Sequence, residues 1–171
     1  MGSASSSNAL SEQTKLLFQD KSILITGASR GLGRSLAHKL AECNVSLLIL
    51  SGRDEDALQQ VKNECAKIAS LSLYEQSKMK IEILTCDLAD KISVGNLSKN
   101  SLSIAQQLHA TKKIDILINN GGISSRSSFL ETDISVDERL MQVNFFSGAA
   151  LAKAIVPNMV EQSSGRIIWI R

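Results

Sequence analysis

The chain has 171 residues, of which 43% are hydrophobic and 21% charged, and its formal net charge is +2 at pH 7. This length suits one domain with a sizeable core, and the near-neutral charge predicts no nucleic-acid partner. The sequence contains no apolar run near the roughly 18 residues of a membrane span and no secretory signal, so we expect a cytoplasmic protein.

The N-terminal 20 residues are rich in serine and other polar residues. They predict a flexible polar tail that precedes a single domain over residues 21–171. The opening residues MGSASS match the pattern for N-myristoylation of Gly2. A plain disordered tail is the alternative interpretation, and one acyl chain would give only weak membrane association.

Residues 22–34, SILITGASRGLGR, predict a strand, a glycine-rich turn and the start of a helix. Gly27 permits a tight turn, Gly31 lets backbone N–H groups approach a phosphate, and Gly33 lets the helix pack against the strand. The helix N-terminus adds N–H donors and a positive dipole. The segment therefore indicates a pyrophosphate site, with an ordinary glycine-rich loop as the alternative.

The rest of the chain alternates between predicted strands and helices. Further strands are predicted over 45–50, 81–85, 114–118 and 166–170, and helices over 31–43, 54–68, 94–110 and 135–162. Pro157 should kink or break the last helix. Strands separated by helices predict an α/β fold with a Rossmann-like, doubly wound parallel sheet of about five strands.

The cysteines and histidines do not have the spacing of metal ligands, so we expect no metal. Cys43 and Cys86 lie in apolar periodic segments and are predicted to be buried thiols. His38 and His109 fall within predicted helices and are expected to be solvated.

The chain from about residue 21 to residue 171 resembles the N-terminal part of a short-chain dehydrogenase/reductase. Four motifs carry the resemblance in the family's order: TGASRGLG at 26–33, CDL at 86–88, NNGG at 119–122, and Asn144 within MQVN at 141–144. Gly121 replaces the family's usual alanine, a change that we expect the site to tolerate. The Gly-Gly pair with ISSR at 123–126 is similar to the member-7 branch of lipid- and steroid-type carbonyl reductases.

The resemblance implies a set of cofactor-binding residues around a nicotinamide dinucleotide. Asp87 should contact the adenine with Leu88 beside it, although an aspartate at a strand end could equally cap the next helix. The segment 120–122 should line the adenosine ribose, with a simple turn as the alternative. The full set is Gly27, Ser29, Arg30, Gly31, Leu32, Gly33, Arg53, Asp87, Leu88, Asn120, Gly121 and Gly122.

The choice of cofactor follows from the end of the second predicted strand, Ser51-Gly52-Arg53. NAD sites place an acid there for the ribose 2′-OH, whereas NADP sites use cations. Here glycine stands in place of the acid, and Arg53 and Arg30 could hold a 2′-phosphate. Asp54 could in principle take the acid's role, but a helix N-cap is the favoured interpretation. NADP(H) is therefore predicted over NAD(H).

The resemblance implies that Asn144 belongs to the catalytic tetrad, where it holds a water of the proton relay and bends the helix; an amide bonded into ordinary structure is the alternative. The family also needs a serine, expected about where residue 172 would be, and a Tyr-x-x-x-Lys pair. Tyr74 and Lys78 have this spacing but precede the third predicted strand, far from that position in the family. We interpret them as loop residues.

These residues predict an NADP(H)-dependent oxidoreductase that acts on a carbonyl or secondary alcohol and that forms a homo-oligomer when complete. The chain by itself should bind cofactor without catalysing hydride transfer. A truncated isoform acting as a nucleotide-binding or dimerisation module, or a fragment without function, is the alternative. The fold is expected to be incomplete, and residues 167–170 would form an exposed apolar edge, so low stability is predicted.

Overall fold

The sheet sets the architecture of the protein. The computed structural model describes residues 10–71 and 79–170. Within them, five parallel strands pair in the order β3-β2-β1-β4-β5. The strands are β1 (Ser22–Thr26), β2 (Leu47–Gly52), β3 (Lys80–Thr85), β4 (Ile116–Asn119) and β5 (Arg166–Trp169).

Helices connect successive strands and cover both faces of the sheet. They are α1 (Glu12–Phe18), α2 (Gly31–Ala41), α3 (Glu55–Ser70), α4 (Lys91–Leu108), α5 (Ile134–Met141) and α6 (Ser147–Glu161). A 3₁₀ turn, Phe129–Glu131, precedes α5, and a π-helical turn, Gln142–Phe146, joins α5 to α6. The observed bounds differ from the predicted ones by a few residues at most of these elements.

Two hydrophobic cores explain why the strands are apolar on both sides. Ile23 and Ile25 point into the core that α2 and α3 share with the sheet. Leu24 points into the other core, with α4 and α6. All three side chains are 0% exposed. Burial on both faces requires continuous apolar strands rather than alternating ones, and the predicted doubly wound α/β fold is confirmed.

The described part of the N-terminal segment is helical, so the prediction of a flexible tail is wrong for α1. Ser11 Oγ accepts a hydrogen bond from the Thr14 backbone N–H at 3.2 Å and caps the helix. Leu10 and Phe18 pack against the core beneath α2 and α3. The polar composition was misleading because it did not reveal the Ser11 cap or the packing of Leu10 and Phe18. Gly2 lies outside the described residues.

Helices α5 and α6 form one continuous helix through the π-helical turn, Ile134–Glu161. Pro157 lies inside α6 and does not break it. By length and by the mean hydropathy of 1.2 in one 18-residue window, this helix is long and apolar enough to cross a membrane. Its residues Leu151, Ile155 and Met159 are buried against the sheet, however, as in the core helix of a globular domain.

A buried polar cluster joins β1 to the segment before β4, at the edge of the sheet where the strands begin. The Ser22 backbone N–H donates to Asp115 Oδ2 at 2.9 Å, and Lys113 Nζ lies 3.4 Å from Asp115 Oδ1. His109 Nε2 donates to the backbone carbonyl of Asp20 at 3.0 Å. His109 is only 5% exposed, so the expectation of a solvated histidine is wrong.

The three cysteines are free and buried, as predicted for Cys43 and Cys86. Burial raises the pKa of the Cys65 thiol to about 12. This thiol therefore stays protonated near neutral pH, where it is a poor nucleophile and a poor metal ligand.

Strand β5 forms one edge of the described sheet. Ile167 is 41% exposed on this strand. Trp169 is half-buried and stacks on Phe145, with 5.9 Å between ring centroids. The predicted apolar edge is therefore present at Ile167 and partly covered at Trp169, and low stability stays a prediction.

Replacing Gly95 with alanine should stabilise the protein. Gly95 lies inside α4, and a Cβ added there would meet no atom within 4 Å. Alanine has the higher helix propensity, so the free energy of unfolding should rise by roughly 0.5–1 kcal/mol. Thermal denaturation would then show a Tm increase of about 1–4 °C. A lower Tm would contradict the helical environment described for this position.

An ion-pair cluster links α2 to α3 on the protein surface. Arg34 Nε donates to Glu64 Oε2 at 3.0 Å, and His38 Nε2 lies 2.9 Å from the same oxygen. Desolvation would raise the pKa of Glu64, but the hydrogen bonds from His38 and Arg34 outweigh it and hold this pKa below its usual 4.5.

Replacing Glu64 with glutamine should lower the Tm in a pH-dependent way. Because the folded state depresses the pKa of Glu64, its carboxylate stabilises the protein above the ordinary pKa of 4.5. That stabilisation disappears as the pH falls through the lowered pKa. The Tm difference between wild type and Glu64→Gln should thus be largest near pH 7 and vanish in strong acid. A difference that stays constant from pH 7 to pH 3 would contradict this.

Candidate functional site

A cleft of about 680 Å³ lies at the carboxyl ends of strands β1, β2, β3 and β4. The chain runs outward from β1 through β2 to β3 and then crosses to β4 on the other side of β1. Open α/β sheets bind their ligands at such a switch point. Eleven of the twelve predicted cofactor residues line the cleft: Gly27, Ser29, Arg30, Gly31, Leu32, Arg53, Asp87, Leu88, Asn120, Gly121 and Gly122.

The glycine-rich turn between β1 and α2 forms the floor of the cleft. Gly27 and Gly31 have backbone φ angles of +66° and +55°. Residues other than glycine rarely adopt such positive φ angles. A Cβ on Gly31 would meet no atom within 4 Å, so this face of the turn is open. A Cβ on Gly33 would lie 2.2 Å from the carbonyl oxygen of Gly27. Gly33 therefore sits behind the turn, where α2 packs closest to β1.

Asn120 fastens the glycine-rich turn to the end of β4. Its Nδ2 donates to the backbone carbonyls of Thr26 at 3.0 Å and Gly27 at 3.2 Å. The Thr26 hydroxyl in turn accepts from the backbone N–H groups of Asn120 and Gly121, at 3.1 and 3.0 Å. The Asn120 amide is thus committed to holding the turn. Thr26 takes a part in this clamp that the sequence did not reveal.

Two arginines flank the cleft beyond β2. Arg30 precedes α2, Arg53 follows β2, and both side chains are exposed. In the described part of the chain neither guanidinium pairs with a carboxylate. Asp54 caps α3, since its Oδ1 accepts from the Ala57 backbone N–H at 2.9 Å. This contact matches the favoured interpretation of Asp54 as a helix cap.

Asp87 and Leu88 line the side of the cleft next to β3. Asp87 Oδ1 accepts from the Ala89 backbone N–H at 3.0 Å. The cap of α4 is instead Asp90, whose Oδ1 accepts from the Ile92 backbone N–H at 2.9 Å. The alternative of Asp87 as the cap of that helix is therefore wrong, and Asp87 lines the cleft.

Asn144 lies in the π-helical turn between α5 and α6. Its Oδ1 accepts from the Ile123 backbone N–H, and its Nδ2 donates to the Ile123 carbonyl, both at 2.9 Å. The amide therefore ties the loop after β4 to the helix, which is the structural alternative considered for this residue. Ile123 lines the cleft, whereas Asn144 is not among its lining residues. The catalytic role of Asn144 stays a prediction.

The family profile described as short chain dehydrogenase matches residues 21–171. The chain belongs to the short chain dehydrogenase family. It is 42% identical to dehydrogenase/reductase SDR family protein 7-like of Anopheles gambiae over 153 residues, 88% of this chain and 44% of that protein. Human dehydrogenase/reductase SDR family member 7 is 33% identical over 151 residues, 88% of this chain and 41% of that protein.

These relatives confirm the predicted likeness to the member-7 branch. The chain spans less than half of the length of these curated relatives. Among solved structures, one similar chain is the short-chain dehydrogenase from Sphingobium yanoikuyae in complex with NADPH, with a TM-score of 0.70 and 26% sequence identity. The match covers 86% of this chain and 52% of that one. A metagenomic short-chain oxidoreductase in complex with NADP shares the fold, with a TM-score of 0.73 at 24% sequence identity. This match covers 88% of this chain and 61% of that one.

In this short chain dehydrogenase, the long helix adds two residues to the cleft that the sequence analysis missed, Arg139 and Val143. They lie four positions apart and therefore share one helix face. Tyr74 and Lys78 lie outside the described residues, as do all side chains of the segment 72–78.

Proposed function

We propose that this chain forms the cofactor-binding half of an NADP(H)-dependent oxidoreductase acting on carbonyls or secondary alcohols. One observation carries the choice of cofactor. The position that holds an acid in NAD sites is Gly52, and the next acid, Asp54, caps α3. Arg30 and Arg53 flank the cleft and have no carboxylate partner within residues 10–71 and 79–170.

The residues of the cleft fit a phosphorylated dinucleotide. The open face of the turn at Gly31 and the N-terminus of α2 would hold the pyrophosphate. Arg30 and Arg53 would hold the 2′-phosphate, and Asp87 would face the adenine. Bound NADP(H) would supply or accept a hydride. A cleft of about 680 Å³ is within the usual range for a cofactor site.

The substrate and assembly of the whole protein belong to the same proposal. In this proposal the whole protein would act on a lipid- or steroid-type carbonyl, form a homo-oligomer and lie in the cytoplasm. We assign Asn144 to the proton relay. Its two hydrogen bonds to the Ile123 backbone would position the loop after β4 beside the reacting centre. The active protein also requires a serine and a Tyr-x-x-x-Lys pair after β5.

The proposed cofactor is tested by thermal denaturation of the purified chain with NADPH or NADH at equal concentrations. At 100 times its Kd, a ligand adds about 2.7 kcal/mol to the free energy of unfolding. For a domain of this size, that raises the Tm by roughly 5–10 °C. We expect this increase with NADPH and a much smaller one with NADH. Equal increases would refute the NADP(H) preference, and no increase with either would refute the dinucleotide site.

A further inference from the structure

The clamp that joins β4 to the glycine-rich turn contains a chemically labile pair of residues. Asn120-Gly121 is the one Asn-Gly pair in the 171 residues of the sequence. In such a pair the backbone nitrogen of the glycine can attack the side-chain amide carbon of the asparagine. The attack is fastest at glycine, because glycine has no Cβ to hinder the approach or to restrict its backbone. The sequence therefore places its most deamidation-prone asparagine at the cleft, which Asn120 lines.

Deamidation of Asn120 would proceed through a cyclic imide. A bond forms between the Gly121 backbone nitrogen and Asn120 Cγ, and the bond between Cγ and Nδ2 breaks. The Nδ2 nitrogen leaves as ammonia and takes the proton of the Gly121 nitrogen. Water then opens the imide to an aspartate or an isoaspartate at residue 120. The reaction consumes only water, and its product carries a negative charge that asparagine lacks.

Hydrogen bonds hold both reacting groups in the folded chain. The Gly121 backbone N–H donates to Thr26 Oγ1 at 3.0 Å, so the proton of the attacking nitrogen points to this hydroxyl. Asn120 Nδ2, the departing nitrogen, donates to the backbone carbonyls of Thr26 at 3.0 Å and Gly27 at 3.2 Å. Cyclisation requires that these hydrogen bonds break first. Only molecules in which the clamp has opened locally can therefore react.

The product cannot rebuild the clamp. The oxygens of an ionised carboxylate accept hydrogen bonds and donate none, whereas the partners of Asn120 Nδ2 are two carbonyl oxygens. A carboxylate at residue 120 would thus face two acceptors without a proton to share. The glycine-rich turn would lose the contact that fastens it to β4, and the negative charge would oppose a phosphate in the same cleft.

We propose that Asn120 is a deamidation site protected by the Thr26 clamp, and that bound NADP(H) prolongs the life of the site by keeping the clamp closed. A ligand that binds only the closed form lowers the open fraction by the factor 1 + [L]/Kd. An empty cleft is gradually converted into a form that no longer holds its turn. The part that concerns NADP(H) rests on the proposed function, whereas protection by Thr26 does not.

Peptide mapping by mass spectrometry measures how fast aspartate and isoaspartate form at residue 120 of the purified chain. The folded wild type should react about 100-fold more slowly than the same chain unfolded in urea, because the four hydrogen bonds of the clamp must open. Thr26→Val removes the hydroxyl acceptor at similar shape and should speed the reaction about tenfold. Thr26→Ser keeps the hydroxyl and should react within about threefold of the wild type.

Asn100 is the internal reference for these variants. It lies inside α4 and precedes Ser101, so its rate of deamidation should be the same in the wild type, Thr26→Val and Thr26→Ser. Equal rates at Asn120 in the folded and the unfolded wild type would refute the protected site, as would equal rates in the wild type and Thr26→Val. Should Thr26→Val fail to fold, the comparison of folded with unfolded wild type decides.

NADPH at about 100 times its Kd should slow deamidation of the folded wild type by a further factor of about 100. Asn120→Asp, which has the sequence of one product, should show no Tm increase with NADPH. If NADPH raises the Tm of the wild type but leaves the rate at Asn120 unchanged, or if Asn120→Asp binds NADPH like the wild type, the link to the cofactor is refuted. If NADPH changes neither the Tm nor the rate while Thr26→Val speeds the reaction, the proposed function fails and the protected site stands.

Discussion

Replacing Gly33 with alanine should abolish NADPH binding and lower the free energy of unfolding by about 2–3 kcal/mol. A Cβ at this position would lie 2.2 Å from the Gly27 carbonyl oxygen, 2.6 Å from Asn120 Nδ2 and 2.9 Å from the Gly27 carbonyl carbon. Two of these atoms belong to the backbone and cannot rotate away. The added methyl group must therefore separate α2 from β1 or displace the glycine-rich turn.

Thermal denaturation with and without NADPH measures both effects of Gly33→Ala. The Tm should fall by roughly 4–12 °C without ligand, and NADPH should no longer raise it. Gly95→Ala is the matched control, because its methyl group meets open space and the Tm should rise slightly. A Gly33→Ala variant with the stability and NADPH affinity of the wild type would show that α2 does not pack against the turn as described.

Replacing Arg30 and Arg53 together with alanine should weaken NADPH binding by about 100-fold or more and leave NADH binding nearly unchanged. Hydrogen bonds to charged groups contribute about 1.5–3 kcal/mol each, and both arginines flank the cleft without a carboxylate partner in the described residues. The 2′-phosphate is the only group that distinguishes the two nucleotides. The single variants should each account for part of the loss.

Substitutions of Asp54 provide the control for this experiment. Asp54→Asn keeps the cap of α3, because asparagine is an equally good N-cap residue, and it removes the charge. Affinity for NADH should not change if Asp54 is only a cap. Asp54→Ala should lower the free energy of unfolding by about 1 kcal/mol through loss of the cap. Loss of NADH binding in Asp54→Asn would assign the residue to the ribose and contradict the NADP(H) preference.

The elements that positioned the site could be predicted from short stretches of the sequence. The apolar strand before the turn, the order of strands and helices and the Asp54 cap depend on neighbouring residues, and each agrees with the structure. The predictions that were wrong depend instead on contacts between residues far apart in the sequence. His109 lies on a polar stretch but is buried, because Asp20, 89 positions away, accepts its hydrogen bond.

The two irregularities predicted for the long helix, at Pro157 and at Asn144, have different outcomes. Pro157 is the residue that local rules mark as a helix breaker, yet α6 passes through it. The irregular turn instead surrounds Asn144, whose amide bonds to Ile123, 21 positions away, on both its oxygen and its nitrogen. The tertiary contact, rather than the propensity of any one residue, accompanies the change in helix geometry.

The amino-acid sequence by itself determined the family, the α/β class and eleven of the residues that line the cleft, because strand burial, turn conformation and capping are local properties of the chain. Only the tertiary structure decided what those residues do to one another. Asn120 holds the turn of Thr26 and Gly27, more than 90 positions away, and Leu88 fills the space left by Gly121. Such contacts join side chains that only the pairing of β1 with β4 and the packing around the sheet bring within a few ångströms of each other.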